Sequence, residues 1–302
     1  MTERHLVARA AADLGAPEAW AGHHQGFGRR AVVGEATGAA HTGFGICALE
    51  VGGHLDAHVH SFEESLFVLE GRLVLDTAEG SVLLQPGDYG LVPVGVAHAA
   101  RNPGPEPARW ADMLAPQPRA RFGDDTFFVP PVGEAEPLAV DVRDPRTRSF
   151  GHIDPANMDP ARQTQDQLAP SASMRTALLV YSGITVKMMV DSDLGAQLQT
   201  MFMVQYEPGG VAGTHDHPLE ETYLVLEGEV EASFDGRSYR LGPGDTAWAG
   251  VGCVHGFANP ADRPVRWLET QAPQPPSRYS YRFRRDWAYL EEALKQKGHD
   301  HG

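Results

Sequence analysis

The sequence has few of the features that mark secreted, membrane-bound or nucleic-acid-binding proteins. Its 302 residues include two cysteines, Cys47 and Cys253, which predicts a reduced, cytoplasmic protein without a disulfide framework. No stretch approaches the ~20 apolar residues of a membrane span, and the first residues lack the apolar core of a signal peptide. The formal net charge of -15 argues against nucleic acid or an anionic membrane as a partner.

What the sequence does contain is an internal repeat. Residues 53–118 align with residues 210–275 at a constant offset of 157 without a gap, and 26 of the 66 positions are identical. The tetrapeptide Val-Leu-Glu-Gly and the tripeptide Pro-Gly-Asp occur at matching places in both copies. The repeat and the chain length together predict two copies of one domain.

Each copy has the composition of a β domain. Segments such as 65–70, 72–76 and 222–226 are short and rich in Val, Leu, Phe or Tyr, and turns that contain glycine separate them. Many short strands with regular turn signals predict a sandwich or barrel. We therefore predict an all-β fold in which each copy forms its own barrel.

The position of the repeat also predicts the domain limits. Residues 1–130 should form the N-terminal domain, residues 131–175 a linker over the interface, and residues 176–302 the C-terminal domain. A short helix is expected near the C-terminus, with an acidic N-cap, one apolar face and a terminal glycine. Its defining residues are Asp286, Trp287, Leu290, Leu294 and Gly298.

Three histidines and one glutamate recur in both copies with the same spacing. The pattern is H-x-H, a Glu four residues later, and a third His 34 residues after that Glu. Residues i and i+2 of a strand point to the same face, so both imidazoles of H-x-H should enter one barrel interior. A lone H-x-H is often a surface pair, but chance rarely produces the full pattern twice. The predicted metal ligands are His58, His60, Glu64 and His98, and in the second copy His215, His217, Glu221 and His255.

Three imidazoles and one carboxylate suit a first-row divalent metal. We expect two ions per chain, with Fe(II) or Mn(II) favoured and Ni, Cu or Zn as alternatives. In octahedral coordination four protein ligands leave two open positions, whereas structural sites are normally closed. The predicted partner is therefore a small-molecule substrate, with O2 as a possible second one.

These residues resemble the motifs of the cupin superfamily. The pattern G-x(5)-H-x-H-x(3,4)-E-x(6)-G fits from Gly52 to Gly71, and G-x(5)-P-x-G-x(2)-H-x(3)-N fits from Gly87 to Asn102. The second copy fits both motifs, with Gly250 in place of the proline. The resemblance implies a bicupin, with two tandem double-stranded β-helix (jelly-roll) barrels. Related bicupins often assemble further, which implies a homodimer.

Within that superfamily the ligand set is most similar to that of quercetinase-like dioxygenases, which implies a dioxygenase-type oxidoreductase. Oxalate decarboxylases carry an Arg three residues before H-x-H, where this chain has Leu55 and Ala212. Ureidoglycine aminohydrolases look similar over residues 244–258, but His215 and His255 stand where those enzymes have Glu and Gln. A Mn-dependent aminohydrolase or lyase and a non-catalytic binding protein are the alternatives.

The second copy is predicted to be the catalytic one, because strand alternation places more polar and aromatic groups around its ligands. Tyr223 would share the inward face of Glu221, and it could donate to an oxyanion or transfer a proton. A core tyrosine with a satisfied hydroxyl is the competing interpretation. The predicted catalytic residues are Tyr223 and Glu221, and the predicted substrate-binding residues are Gln205, Phe257, Met201 and Met203.

Overall fold

The structure is a computed structural model of the chain, and it describes residues 4–11, 13–141, 143–160, 181–274, 282–283 and 295. It consists of β-strands and short 3-10 segments, so the predicted all-β class is confirmed. The helix predicted from Asp286 to Gly298 lies outside the described residues except for Lys295, which is helical. Within the described part of the chain, no helix has the length and apolar character needed to span a bilayer.

The strands fall into two groups along the chain. The first group is β1 (His5–Ala8), β2 (His24–Val33), β3 (Gly43–His60), β4 (Glu63–Glu70), β5 (Leu73–Thr77), β6 (Gly80–Leu84), β7 (Asp88–Val92), β8 (His98–Arg101), β9 (Ala108–Ala115), β10 (Thr126–Phe128), β11 (Leu138–Ala139) and β12 (Phe150–His152). The second group is β13 (Tyr181–Val190), β14 (Thr200–Asp216), β15 (Glu220–Glu227), β16 (Val230–Phe234), β17 (Arg237–Leu241), β18 (Thr246–Ala249), β19 (His255–Ala258), β20 (Val265–Ala272) and β21 (Arg282–Phe283). The 3-10 segments are Glu18–Trp20, Glu35–Thr37, Ala120–Asp125, Pro145–Thr147 and Pro155–Met158.

Two sheets with equivalent pairing form the two barrels. One sheet has the order β11-β6-β5-β8-β3-β9-β4-β7-β12, and β2 and β10 also pair with β3. The other has the order β1-β18-β15-β20-β14-β19-β16-β17, and β13 and β21 also pair with β14. The run β3-β9-β4-β7 corresponds to β14-β20-β15-β18, so both repeats adopt the same jelly-roll arrangement.

The edge strands of the two barrels do not follow the predicted domain limits. Strand β1 pairs with β18 and so belongs to the C-terminal barrel, although it lies within residues 1–130. Strands β11 and β12 lie within the predicted linker 131–175 but extend the N-terminal sheet, on β6 and β7. These segments are short, and their pairing depends on a distant partner that local sequence does not reveal.

The two barrels pack together through an apolar cluster and two buried glutamates. The cluster includes Phe44 and Met113 from one barrel and Met201 and Leu268 from the other. The Glu63 carboxylate accepts hydrogen bonds from the backbone N–H groups of Gln197 and Leu198, at 2.7 and 2.9 Å. The Glu220 carboxylate accepts from the N–H groups of residues 40, 41 and 42, at 2.8 to 3.0 Å. Each barrel therefore holds a loop of the other through a charge-assisted contact.

We expect Glu220→Gln to lower the free energy of unfolding by about 1–3 kcal/mol, because a buried carboxylate that accepts three N–H bonds is replaced by a neutral amide. Glu63→Gln should have a smaller effect in the same direction. Chemical denaturation measures both. Glu231→Gln, on an exposed part of β16, is the matched control. Equal stability of the Glu220 and Glu231 variants would contradict this account of the interface.

Candidate metal centres and the adjoining cavity

The structure brings the four predicted ligands of the first copy together inside the N-terminal barrel. One nitrogen each of His58, His60 and His98 lies within 4.8 Å of the other two. Oε2 of Glu64 is 3.2 Å from Nε2 of His60 and 3.6 Å from Nε2 of His98. All three histidines are buried, so the four groups form a compact set that a single ion can bridge.

The second copy repeats this geometry. Nitrogens of His215, His217 and His255 lie within 4.8 Å of one another. Oε2 of Glu221 is 2.9 Å from Nε2 of His217 and 3.2 Å from Nε2 of His255. The structure therefore contains two sets of three imidazoles and one carboxylate, which supports divalent metal binding at both.

Backbone contacts orient all six imidazoles. Nδ1 of His58 is 2.9 Å from the carbonyl oxygen of Asp56, and Nδ1 of His60 is 2.7 Å from that of Phe62. His98 makes the same contact with Val96, and the three histidines of the second copy make equivalent contacts at 2.8 to 3.0 Å. A carbonyl partner keeps the proton on Nδ1, so the Nε2 lone pair is left to bind a metal. The residues present thus fit the ion that the sequence pattern predicts.

Burial and neighbouring charges keep these groups in the forms that bind metal. Burial, together with His98, lowers the pKa of His58 to about 3. Burial and His255 lower that of His215 to about 3 as well. Burial works against ionisation of Glu64, but hydrogen bonding to His60 and His98 lowers its pKa below the usual value. Near neutral pH, His58 and His215 are therefore neutral and Glu64 is ionised.

A β-bulge sets the face on which each H-x-H pair lies. In β14, Ala212 pairs with Phe257 and His215 pairs with His255, so three steps on one strand oppose two on the other. In β3 the same shift separates Leu55 from His58. Such a bulge reverses the alternation of side chains along the strand. Residues on the two sides of the bulge therefore face the interior with opposite parity.

Met201, Met203 and Gln205 do not face the C-terminal metal set as the sequence alternation predicted, because the alternation reverses at this bulge. Met201 and Met203 lie in the apolar cluster between the barrels. The Gln205 amide donates to Glu207 and to the backbone carbonyl of Met158. The residues of this strand that do pack beside Tyr223 in the barrel are Phe202, Val204 and Tyr206.

Tyr223 and Phe257 lie inside the C-terminal barrel as predicted, with their ring centroids 4.7 Å apart. The Tyr223 hydroxyl donates a hydrogen bond to Oε2 of Glu221, and the Gln271 amide donates to Oε1 of the same carboxylate. Both oxygens of this ligand are thus held by protein donors. Gln271 was not among the predicted site residues, although its place on the inward face of β20 follows from alternation.

Aromatic rings fill the interior of the C-terminal barrel around its metal set. Phe234 and Tyr223 each lie 6.1 Å from the His255 ring, and Trp267 packs 5.5 Å from Phe257. The Glu221 side chain is 2% exposed, whereas that of Glu64 is 17% exposed. The C-terminal set is therefore more enclosed than the N-terminal one.

The N-terminal set instead adjoins a cavity of about 540 Å³. The repeat explains part of this space, because the positions of Tyr223 and Phe257 are occupied here by Leu66 and Ala100, which line the cavity. Small side chains in the first copy leave open the volume that rings occupy in the second. The lining includes all four metal ligands and a mostly apolar wall of Trp20, Phe27, Leu55, Phe62, Leu66, Leu73, Leu75, Ala100, Trp110 and Leu114.

One ion pair interrupts this apolar wall. Nε and Nη2 of Arg29 donate to the Asp112 carboxylate at 2.6 and 2.8 Å. The Cys47 thiol donates to the same carboxylate at 3.2 Å. Both cysteines of the chain are free and buried in the structure. Arg29, Asp112 and Cys47 were not among the predicted site residues, although an acidic residue on the inward face of a strand was a usable signal.

Comparison with known proteins agrees with this architecture. The family described as Cupin domain matches residues 45–114 and again residues 202–270. A protein of Streptomyces cyaneus named polyketide synthase CurC is 31% identical over 109 residues, which cover 35% of this chain and 70% of that protein.

Solved structures with the same fold span both barrels. Oxalate decarboxylase of Lactobacillus farciminis, as a formate complex, superposes with a TM-score of 0.59 at 17% identity, covering 96% of this chain and 94% of that one. A mutant of salicylate 1,2-dioxygenase from Pseudoaminobacter salicylatoxidans gives 0.56 at 18% identity, covering 85% and 74%. The repeat, the fold and these matches show that the chain belongs to the cupin superfamily, as a bicupin.

The pKa of His58 predicts how the stability of the metal-free protein depends on pH. The unfolded chain binds a proton on this residue below about pH 6.5, and the folded chain does so only near pH 3. Stability is therefore lost as the pH falls between these values, by roughly 1 kcal/mol per pH unit.

Urea denaturation at several pH values, with a chelator present, measures this loss. The His58→Gln variant should lose stability less steeply with falling pH than the parent, and His41→Gln serves as the control. Parallel curves for the parent and the His58 variant would contradict the assignment.

Metal content tests both sites directly. Chelated and then reconstituted protein should hold two equivalents of a divalent metal per chain, and His58→Ala or His215→Ala should each remove about one. Losing one of three imidazoles leaves too few ligands to hold a transition metal tightly. Mass spectrometry after gel filtration measures the content. Two equivalents in either variant would show that its histidine is not a ligand.

Proposed function

We propose that this bicupin is a metal-dependent oxidoreductase of the dioxygenase type, acting at the N-terminal site on an apolar, ring-containing small molecule. The observation that carries the proposal is the cavity of about 540 Å³ that adjoins His58, His60, His98 and Glu64. A largely apolar cavity with a few convergent polar groups is the usual form of a small-molecule site. Its volume suits a molecule of one to three fused rings.

One flat side chain in the cavity wall, Trp20, favours a flat ligand. The Trp20 ring lies edge-on to His58 at 4.6 Å and to Phe128 at 5.4 Å. His23 stacks on the other side of Phe128, with centroids 3.6 Å apart. Phe128 and His23 line a neighbouring pocket, so it is the Trp20 ring, beside one metal ligand, against which an aromatic substrate can stack.

The comparisons support this substrate class without defining the substrate. One relative carries the name of a polyketide synthase, and one structural neighbour is named as a dioxygenase of salicylate, an aromatic acid. Another neighbour is an oxalate decarboxylase. Here, however, the bulge turns Leu55 into the cavity at the position where the resemblance would require an Arg for oxalate. A small dianion would leave its charge without a partner beside this leucine.

Each group at the site has a defined task under this proposal. His58, His60, His98 and Glu64 would hold an Fe(II) or Mn(II) ion. When bound, that ion supplies open coordination positions and redox chemistry for the reaction with O2. The apolar walls would bind and orient the substrate, and ionised Glu64 would offset part of the positive charge of the ion.

The C-terminal site would have a structural task. Tyr223 and Gln271 fix both oxygens of Glu221, and the surrounding rings leave little space beside the histidines. Closed sites of this kind contribute folding free energy rather than chemistry. This assignment reverses the sequence-based choice of the second copy, which relied on Tyr223 and on three residues that lie elsewhere.

We expect His58→Ala to abolish turnover and His215→Ala to retain at least about a tenth of it while lowering the melting temperature. Oxygen uptake with a panel of hydroxylated aromatic acids and diketones measures turnover. Metal analysis of the His215 variant, which should keep one equivalent, is the control. The opposite pattern would return the chemistry to the C-terminal copy.

The oxygen dependence separates the alternative activities. Turnover that continues without O2 would contradict the dioxygenase class and favour an aminohydrolase or lyase. If the protein binds a compound of the panel but does not convert it at any metal loading, a non-catalytic binding protein is favoured. We also propose that the protein is a cytoplasmic homodimer. Analytical ultracentrifugation of the metal-loaded protein measures whether it is a dimer.

A further inference from the structure

The Arg29–Asp112 pair has an unusual position for an ion pair. Its guanidinium lies inside the N-terminal barrel and lines the same cavity as the four metal ligands. Asp112 accepts from two of the five N–H groups of Arg29, and no other acceptor for them is found in the described part of the chain. Asp112 also raises the pKa of Arg29, although burial opposes its charge. The guanidinium is therefore charged and has donors left for a ligand.

The backbone around this pair leaves space for it. The guanidinium lies against β3 at Gly45, where an added Cβ would come within 2.8 Å of the Arg29 guanidinium carbon. In the second copy the equivalents of Gly45, Cys47 and Arg29 are Phe202, Val204 and Val186. That barrel thus has neither the space nor the cation. The Arg29–Asp112 pair is therefore found in the barrel that has the cavity, and the cupin fold itself does not require it.

We propose that Arg29, positioned by Asp112, is the specificity-determining residue of the N-terminal cavity and binds an oxyanion of the substrate. The substrate class is then an apolar ring compound with one ionised oxygen group, such as a carboxylate, phenolate or enolate. The proposal deepens the proposed function and rests on its choice of the N-terminal site.

The charges around the cavity support a singly charged ligand. Among the groups on the barrel strands, a divalent ion with Glu64 would leave one positive charge, and Arg29 with Asp112 would add none; the two other carboxylates in the lining, Glu35 and Asp124, belong to 3-10 segments outside those strands. A monoanion neutralises the site, whereas a dianion or a neutral molecule does not. Inside an apolar cavity this balance matters, because an unpaired charge there is strongly unfavourable. The N–H donors of Arg29 that Asp112 does not use can hydrogen-bond an oxyanion of the ligand. This contact fixes the orientation of the ligand, which charge neutralisation alone does not.

The test compares 2-naphthoate with its neutral analogue 2-naphthamide as probes. The protein as purified should bind the naphthoate at least about tenfold more tightly, as expected for one hydrogen bond to a charged group. Isothermal titration calorimetry measures both constants. Arg29→Met should abolish the preference. Arg29→Met combined with Asp112→Leu should do the same, while avoiding an unpaired buried carboxylate and leaving the formal charge of the cavity unchanged.

Arg30→Met is the matched control, because Arg30 is adjacent in sequence and lines the cleft between the barrels instead of this cavity. It should keep the full preference for naphthoate. Failure of the parent protein to bind naphthoate, equal binding of both probes, or an unchanged preference in the double variant would each overturn the proposal. These outcomes are independent of turnover, so a protein that prefers naphthoate but consumes no O2 would refute the proposed reaction alone.

Discussion

Both metal sites depend on a single irregularity, the β-bulge directly before each H-x-H segment. It adds one residue between Leu55 and His58, and one between Ala212 and His215. Because side chains alternate along a strand, a regular strand that kept Leu55 inward would turn the histidine pair out of the barrel. The bulge lets an apolar wall and a pair of ligands share one interior. The third histidine reaches the same point from the adjacent strand, β8 or β19, and the glutamate reaches it from β4 or β15, which β9 or β20 separates from the H-x-H strand.

Around this shared frame the two copies have diverged in what fills the barrel. The second copy packs Tyr223, Phe234, Phe257 and Trp267 against its ligands, which buries a large apolar area and gives stability. The first copy has smaller residues at several equivalent positions and therefore retains a cavity. A cavity lowers stability, so its retention beside an intact ligand set is best explained by function. One barrel can supply the stability that the other gives up.

The contact between the barrels links these two roles. Glu64 and Glu221 face their metal sets, while the preceding residues, Glu63 and Glu220, reach into the other barrel. Adjacent residues on one strand thus serve the site and the interface, because they point to opposite faces. The edge strands reinforce this link: β1 completes the C-terminal sheet from the start of the chain. We therefore expect the two barrels to unfold as one unit, and a change at the interface to affect both ligand sets.

The sequence by itself determined the repeat, the all-β class and the eight residues of the two candidate metal sets. These depend on local alternation and on spacing, which are properties of the chain alone. Alternation also placed Tyr223 and Phe257 correctly, because no bulge separates them from their ligands. Only the tertiary structure decided which residues of β14 face inward, which barrel has a cavity, and that Arg29 meets Asp112. Those features depend on a bulge, on the volumes of side chains from several strands, and on a contact between distant segments, none of which local patterns encode.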